Sequence, residues 1–369
     1  MKTVAFIRGT GIYDDSRSTK EIAALVENGY KVYILGWDRD GRAQEKCREI
    51  FGEYGDALSL YFYNVRVPNG LGMKNIGKLL GWIRWIKKTL FSLPEVEIVH
   101  ACDLDTGIAA KAYCKKTGKK LIYDIFDYYI DTHTVPGPLR SVVERMEIGV
   151  INRADVTIIC TEERTEQIAK ATPRKLAVIH NSPDVDVPPA SAELNDYAYC
   201  GSLSDMRLLS EIFDLYGENR DIKMITAGYG KHSARAAELS EANDGFTFLG
   251  SISYSDVLKV ESESRVLSAI YEPTIRNHRL CAPNKFYEAL ALGKPLIVCR
   301  GTGIDKVVEE NDIGAVIDYD AHSFYEALRR LLSDDKVRAE MGERARALYE
   351  EKYRWSQMKG VLLSLYSEI

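Results

Sequence analysis

An acid buried inside an apolar helix needs a hydrogen-bond donor, and Glu288 stands in such a setting. In Ala282-Pro-Asn-Lys-Phe-Tyr-Glu-Ala-Leu-Ala-Leu-Gly-Lys-Pro-Leu-Ile-Val-Cys299, Phe286, Ala289, Leu290 and Leu292 make the stripe of a short helix. Gly293 predicts a left-handed cap, Pro295 blocks continuation, and Leu296 to Val298 read as a buried strand. A sugar hydroxyl is one donor that would satisfy Glu288; a solvated glutamate on the helix's outer face is the alternative reading. Gly201-Ser-Leu-Ser-Asp-Met-Arg207 offers a small-residue turn between a strand and a helix. Its backbone amides and its cation suit a diphosphate, which leaves a reaction with about two negative charges.

The first half carries a second set of candidates. His100-Ala-Cys-Asp103 follows a strand and precedes a helix, which predicts both polar residues at the strand's carboxyl edge. Asp103 and Asp105 have a spacing that can bind a divalent ion. Asp105 is expected instead to cap a helix from Thr106 to Lys115, so no metal is required. Tyr123-Asp-Ile-Phe-Asp-Tyr-Tyr129 brings Asp124 and Asp127 to another strand end. They read either as acid-base or acceptor-binding groups or as a buried hydrogen-bond network. The loop Arg8-Gly-Thr-Gly-Ile-Tyr-Asp-Asp-Ser-Arg-Ser-Thr-Lys20 is long and polar, with Asp14, Asp15 and Arg17 as contacts or as parts of a solvated surface. Gly9 and Gly11 begin a dinucleotide fingerprint, but Asp14 stands where its third glycine belongs, which is weak support for NAD.

These groups are positioned by a repeating α/β pattern. Strands are expected at Val4 to Ile7, Val32 to Leu35, Ile98 to His100, Leu121 to Tyr123, Val156 to Cys160 and Ala177 to Ile179. Helical patterns at Lys20 to Glu27, Thr106 to Lys115 and Ser141 to Asn152 alternate with them. The alternation restarts with strands at Tyr197 to Cys200, Lys223 to Ala227, Thr247 to Leu249, Val266 to Ile270, Leu296 to Val298 and Ala315 to Ile317. Between the halves, Ser182 to Asp196 has three prolines and reads as a linker. The expected domains are therefore 1–182, a linker at 183–196, and 197–351. Two Rossmann-like halves imply a cleft, and ligands of such sheets bind beyond the strands' carboxyl ends.

The 369 residues, 46% of them hydrophobic, suffice for two separate cores. A formal charge of -5 argues against general nucleic-acid binding. Seven scattered cysteines without Cys-x-x-Cys spacing read as reduced cytosolic thiols. The N-terminus enters a strand directly, with no expected signal segment, and no stretch is apolar enough to span a membrane.

The Ala282–Cys299 stretch resembles the C-terminal signature of retaining glycosyltransferases of the GT-B fold, family 4. The likeness continues through Gly301-Thr-Gly-Ile-Asp-Lys-Val-Val-Glu-Glu310 and Gly314-Ala-Val-Ile317 and extends over nearly the whole chain. It implies two Rossmann-like domains, with the last helix (Ser356 to Ser367, within about 352–369) crossing back to the first domain. Glu288 would hold the ribose hydroxyls of a nucleotide-sugar. The family's paired glutamate lies eight positions earlier, where this chain has Leu280. Sugar contacts would then fall to backbone amides or to Asn277, His278, Arg279 and Asn284. A subgroup carrying Pro-Asn-Lys, as Pro283-Asn284-Lys285 does here, shares this change.

In the diphosphate turn, Ser202 replaces the family's Arg and Arg207 stands at its Lys position. Lys285 could supply the missing charge or be only a solubilising residue. Gly301, Thr302 and Gly303 would lie near the donor phosphates, Gly228 and Tyr229 near the nucleobase, and the loop containing Gly11 against donor and acceptor. His100 to Asp103 resembles the family's His-x-x-Asp turn, and Phe126 replaces the histidine of its Asp-x-His-Glu. Acid-base or acceptor roles would fall to His100, Asp103, Asp124 or Asp127, with Arg207 and Lys285 stabilising the leaving group. The nucleotide-sugar is then a substrate, and no cofactor or metal is expected.

Lys74 to Ser92 reads as an amphipathic helix with Ile76, Leu79, Leu80, Ile83 and Leu90 on its apolar face and Lys74, Lys78, Trp85 and Lys88 opposite. Tryptophan among lysines, with Trp82 on the flank, fits an anionic bilayer interface or, alternatively, the domain's own core. The expectation is a cytoplasmic hexosyl- or deoxyhexosyltransferase, with a lipid-linked glycan acceptor at the inner face of the cell membrane. Its rivals are a nucleotide-sugar 2-epimerase of the same architecture and a non-catalytic nucleotide-sugar or glycan-binding subunit.

Overall fold

Runs of aliphatic residues short enough for strands, each followed by a helical period, give two parallel sheets. The computed structural model describes residues 2–67, 76–133, 135–185 and 192–369. It divides into two compact units, Met1–His180 with Met358–Ile369, and Asn181–Gln357.

The first unit contains β1 (Thr3–Arg8), β2 (Lys31–Asp38), β3 (Leu58–Asn64), β4 (Ile98–Cys102), β5 (Lys120–Ile125), β6 (Val156–Ile159) and β7 (Leu176–Val178). They pair in the order β3-β2-β1-β4-β5-β6-β7, all parallel. β1 is buried from Thr3 to Ile7, because helices cover both faces of such a sheet and its central strands become continuous apolar runs. The order reverses between β1 and β4, which places the Arg8–Asp15 loop and Asp103 at the same crevice. The edge strand β3, Leu-Ser-Leu-Tyr-Phe-Tyr-Asn, and the helix Ala43–Phe51 were not among the expected elements.

The second unit contains β8 (Asn195–Ser202), β9 (Met224–Tyr229), β10 (Phe246–Phe248), β11 (Ser264–Ala269), β12 (Leu296–Cys299) and β13 (Gly314–Ile317). Their order is β10-β9-β8-β11-β12-β13, again parallel, with its reversal between β8 and β11. Residues 186–191 of the expected linker lie outside the described residues, and Asn195 and Asp196 already belong to β8.

Three local expectations are corrected. The helix after β4 begins at Asp103, so Asp105 is inside its first turn rather than at its cap. Asp105 instead accepts a hydrogen bond from the Trp82 indole at 2.9 Å. Lys74 lies outside the described residues; the helix is described from Ile76 to Ser92, and its orientation differs from the helical-wheel reading. Trp82 is fully buried, Trp85 stacks on it at 5.4 Å and both meet Tyr63 of β3, while Ile76 and Leu80 face solvent. The wheel orders a helix's faces but says nothing of the neighbours that cover them. Here the strand edge and the Asp103–Thr117 helix bury the tryptophan side. Finally, His100 is not at a strand edge: β4 runs on to Cys102, leaving His100 fully buried.

Among the described residues no helix is long and apolar enough to cross a membrane. All seven cysteines are buried and unbridged.

Candidate functional site

In the second unit, candidate residues converge at the carboxyl ends of β8 and β11. β8 ends in Gly201 and Ser202, and the chain turns through Asp205–Arg207 into the helix Leu209–Leu215. Arg207 lays its guanidinium over Tyr271, just beyond β11, with Cζ 3.8 Å from the ring centroid. Lys285, in the first turn of the helix Asn284–Leu292, places Nζ 4.8 Å from the Tyr199 ring centroid. Any side chain at Gly201 would meet that ammonium. The two strand ends run so close that a Cβ at Gly228 would collide with the carbonyl of Gly201, and Gly228 has φ 134. Only glycine fits there.

Glu288 projects from the same helix as Lys285 and is 3% exposed, so the solvated outer-face reading does not apply. The Tyr254 side chain lies beside it. A second acid, Glu261 on the helix Tyr254–Ser262, is also buried, and its Oε2 has no hydrogen-bond partner. Burial, reinforced by the charge of Glu288, holds the Glu261 carboxyl protonated well above the usual carboxylate range. Burial alone would make Lys285 a weaker base, but the phenol and acid oxygens around it, Glu288 among them, outweigh burial and raise its pKa. The site therefore carries a firm positive charge beside a pair of acids, one neutral. Glu261 was missed from sequence, although it shares its helix's buried side with Leu258 and Ser262.

The neighbouring loop is built by Gly301-Thr-Gly303. Gly303 has φ 79 and caps the helix Ile304–Glu310, and a Cβ there would lie 2.8 Å from the carbonyl of Arg279. Thr302 is buried and donates to Cys299 O at 2.6 Å, while the Gly301 amide donates to Asp305. Asn284 is exposed and accepts from Asn181, whereas Arg279 is exposed and donates to Pro273 O at 3.0 Å. His278 is buried and hydrogen-bonded through both ring nitrogens, and Asn277 beside it is half-buried. Ser202 and Tyr229 are exposed at the ends of β8 and β9.

The first unit holds two polar layers. The outer one lies at the β1–β4 crevice, where Arg8 binds Asp15 at 2.9 Å and also pairs with Asp103. Asp103 has φ 63, uncommon outside glycine, and its Oδ1 accepts from the amides of Phe126 (2.9 Å) and Asp127 (3.1 Å). Burial first, then the charges of Asp127 and Asp105, push its carboxyl up to about 6 against the pull of Arg8. Asp127 pairs with Arg164 at 3.3 Å, and Asp14 is exposed. Asp15 is the N-cap of the helix Ser16–Glu27, accepting from Ser18 N, while Gly11 packs near Tyr13 and Ala43.

The inner layer is closed to solvent. Arg17, expected at an acceptor, turns inward and binds Asp124, Glu21 and the Cys160 sulfur. His100 hydrogen-bonds the Tyr366 hydroxyl through Nδ1 at 2.7 Å, and its Nε2 lies 3.5 Å from Asp124 and 3.7 Å from Glu21. Glu21, His100 and Asp124 bring potential metal ligands within 4.8 Å of one another. Arg17 already holds the charge of Asp124 there, so a second, divalent cation would be poorly matched. Phe126 has a physical role in this arrangement: its ring meets Arg8 at 4.0 Å and Arg17 at 4.5 Å, joining the two layers by cation–π contact.

Residues 18–187 match the family described as Glycosyltransferase Family 4, and residues 196–334 match Glycosyl transferases group 1. The chain is 35% identical to the D-inositol 3-phosphate glycosyltransferase of Corynebacterium glutamicum (strain R), over 95% of this chain and 84% of that protein. It belongs to glycosyltransferase family 4. The glycosyltransferase is also 27% identical to Spore coat protein SA of Bacillus subtilis (strain 168), over 46% of this chain and 48% of that one. In structure it resembles the sucrose-phosphate synthase of Thermosynechococcus elongatus, with TM-score 0.75 and 14% identity over 100% of this chain and 99% of the other. Anabaena HepE, solved in complex with UDP and glucose, gives TM-score 0.73 and 14% identity with both chains covered completely. At such identity these structures establish the fold: the two parallel sheets of this glycosyltransferase are those of GT-B enzymes. It is a transferase.

Proposed function

We propose that this glycosyltransferase moves a sugar from a nucleoside-diphosphate donor to a hydroxyl of a glycan acceptor, with retention of anomeric configuration. The observation that carries this reading is the arrangement beyond β8 and β11, where Arg207, Lys285 and the buried Glu288 surround a glycine-lined strand end. Glu288 would accept hydrogen bonds from the ribose hydroxyls. Arg207, Lys285 and the amides around Gly303 would take the diphosphate, with Tyr229 near the base. As the bond between the anomeric carbon and the phosphate oxygen breaks, the acceptor oxygen bonds to that carbon on the same face. Its proton passes to the departing phosphate oxygen. The protein's part is positioning and charge stabilisation, which needs neither a protein nucleophile nor a bound metal.

The solved complexes of HepE with UDP and with UDP-glucose support a UDP-sugar as the first donor to test. For the acceptor, a lipid-linked glycan at the inner face of the cell membrane is our reading, within the synthesis of a cell-surface polysaccharide or glycoconjugate. The tryptophans no longer support it. The outer face of the helix Ile76–Ser92 does: exposed Ile76, Leu80 and Phe91 alternate with Arg84, Lys87 and Lys88, and the helix contains no acid. Such a face suits an anionic bilayer surface.

The test is to heat the protein with UDP-, GDP- and dTDP-sugars and free nucleotides, since a ligand of the folded state raises its apparent stability. The stabilising donor is then incubated with and without glycan acceptors. Conversion of donor alone to another sugar nucleotide would replace the transfer reading with epimerisation. No stabilisation by any nucleotide would sink the donor-site assignment.

A further inference from the structure

We infer that His278 is a positioning residue for Arg207, fixing the guanidinium where a departing diphosphate meets it. This rests on the donor reading above. A direct donor contact by His278 is disfavoured, because the ring is buried and both nitrogens are engaged within the protein. Nδ1 lies 3.0 Å from the carbonyl oxygen of Glu272. A carbonyl only accepts, so Nδ1 carries the proton and Nε2 presents a lone pair. Arg207 Nη1 sits 3.4 Å from Nε2 and 3.2 Å from the carbonyl of Met206.

The other restraints come from aromatic rings. The guanidinium stacks on Tyr271 with Cζ 3.8 Å from the centroid, and Tyr271 meets the His278 ring edge-on at 5.3 Å and 79°. Tyr199 flanks Arg207 as well. One rigid plane below and acceptors at its margin leave the cation little choice of direction. A guanidinium held this way needs no reorganisation as charge develops on a leaving phosphate. His278 thus acts through Arg207.

The experiment compares the wild type with Arg207→Ala, His278→Ala and His278→Gln by calorimetry, titrating whichever of UDP, GDP and dTDP the wild type binds, and its monophosphate. Gln keeps an oxygen able to accept from Arg207 but not the histidine ring. Arg207→Ala and His278→Ala are expected to weaken the diphosphate about tenfold and the monophosphate by less than about twofold, with His278→Gln recovering most of the loss. Wild-type diphosphate affinity in His278→Ala, alongside a loss in Arg207→Ala, overturns the inference alone. Equal losses for both nucleotides, or no recovery by Gln, reduce His278 to a structural role and also overturn it. Unchanged affinity in Arg207→Ala, or no binding of any diphosphate by the wild type, overturns the donor reading itself.

Discussion

Arg17 Nη2 lies 2.7 and 2.8 Å from the two carboxylate oxygens of Asp124, while Nε of the same guanidinium holds Glu21 at 2.9 Å. The helix that follows β1 is thereby clamped to the carboxyl end of β5. Behind the clamp, His100 ties β4 to Tyr366 of the C-terminal helix. These residues support the β1–β4 crevice from beneath, where Arg8 and Asp103 form its outer layer.

Removing the clamp's cation leaves two buried carboxyl groups uncompensated. Arg17→Ala should lose ~3–5 kcal/mol of stability, the usual cost of breaking a buried pair. Urea unfolding measures it, and a midpoint equal to the wild type's would show that Asp124 and Glu21 are satisfied by other means.

Glu147 gives a pH prediction. It is buried, accepts from the Tyr123 hydroxyl at 3.0 Å and the Tyr129 amide at 3.2 Å, and burial raises its carboxyl from 4.5 to about 8. The folded state therefore holds a proton that the unfolded chain releases above 4.5. This contribution is complete below 4.5 and is lost as pH rises to about 8, by up to ~1.4 kcal/mol per unit. Glu147→Gln should match the wild type near the low end and melt higher than it near the high end. Parallel melting curves at both pH values would contradict this.

Glu288→Ala should weaken nucleotide binding by about tenfold or more, because hydrogen bonds to a charged group contribute ~1.5–3 kcal/mol each. Thermal stability should fall little, since the substitution also removes the charge facing buried Glu261. Calorimetry with UDP separates the two effects, and an unchanged affinity would remove the ribose assignment.

Charge reversal tests the membrane reading without touching the donor site. The triple variant Arg84→Glu, Lys87→Glu, Lys88→Glu should lose sedimentation with phosphatidylglycerol vesicles while nucleotide binding stays within about twofold of wild type. Equal sedimentation of wild type and variant, or none by the wild type, would discard that surface as a bilayer contact.

Much of the second unit was legible in sequence because its information is local. A short apolar run, a helix stripe, Gly293 and Pro295 determine a strand–helix–strand unit within a few turns of chain, and β8 to β13 occur close to where the pattern puts them. β3 was not, since a half-covered edge strand mixes serine and tyrosine with leucine and shows no clean period.

By itself, the sequence determined the alternating α/β plan, the family, and the polar positions at strand ends. Only the tertiary structure decided which of those polar groups are buried against one another and which stay open to solvent. Arg17 and Asp124 stand 107 residues apart, and neither carries a local signal that the other will bury it. Trp82 and Trp85 were likewise turned inward by β3 and by the neighbouring helix, not by their own helical period. Periodicity sets the angle between side chains on one element. Burial depends on which distant elements close over that angle, and a charge goes inside only where folding brings its partner.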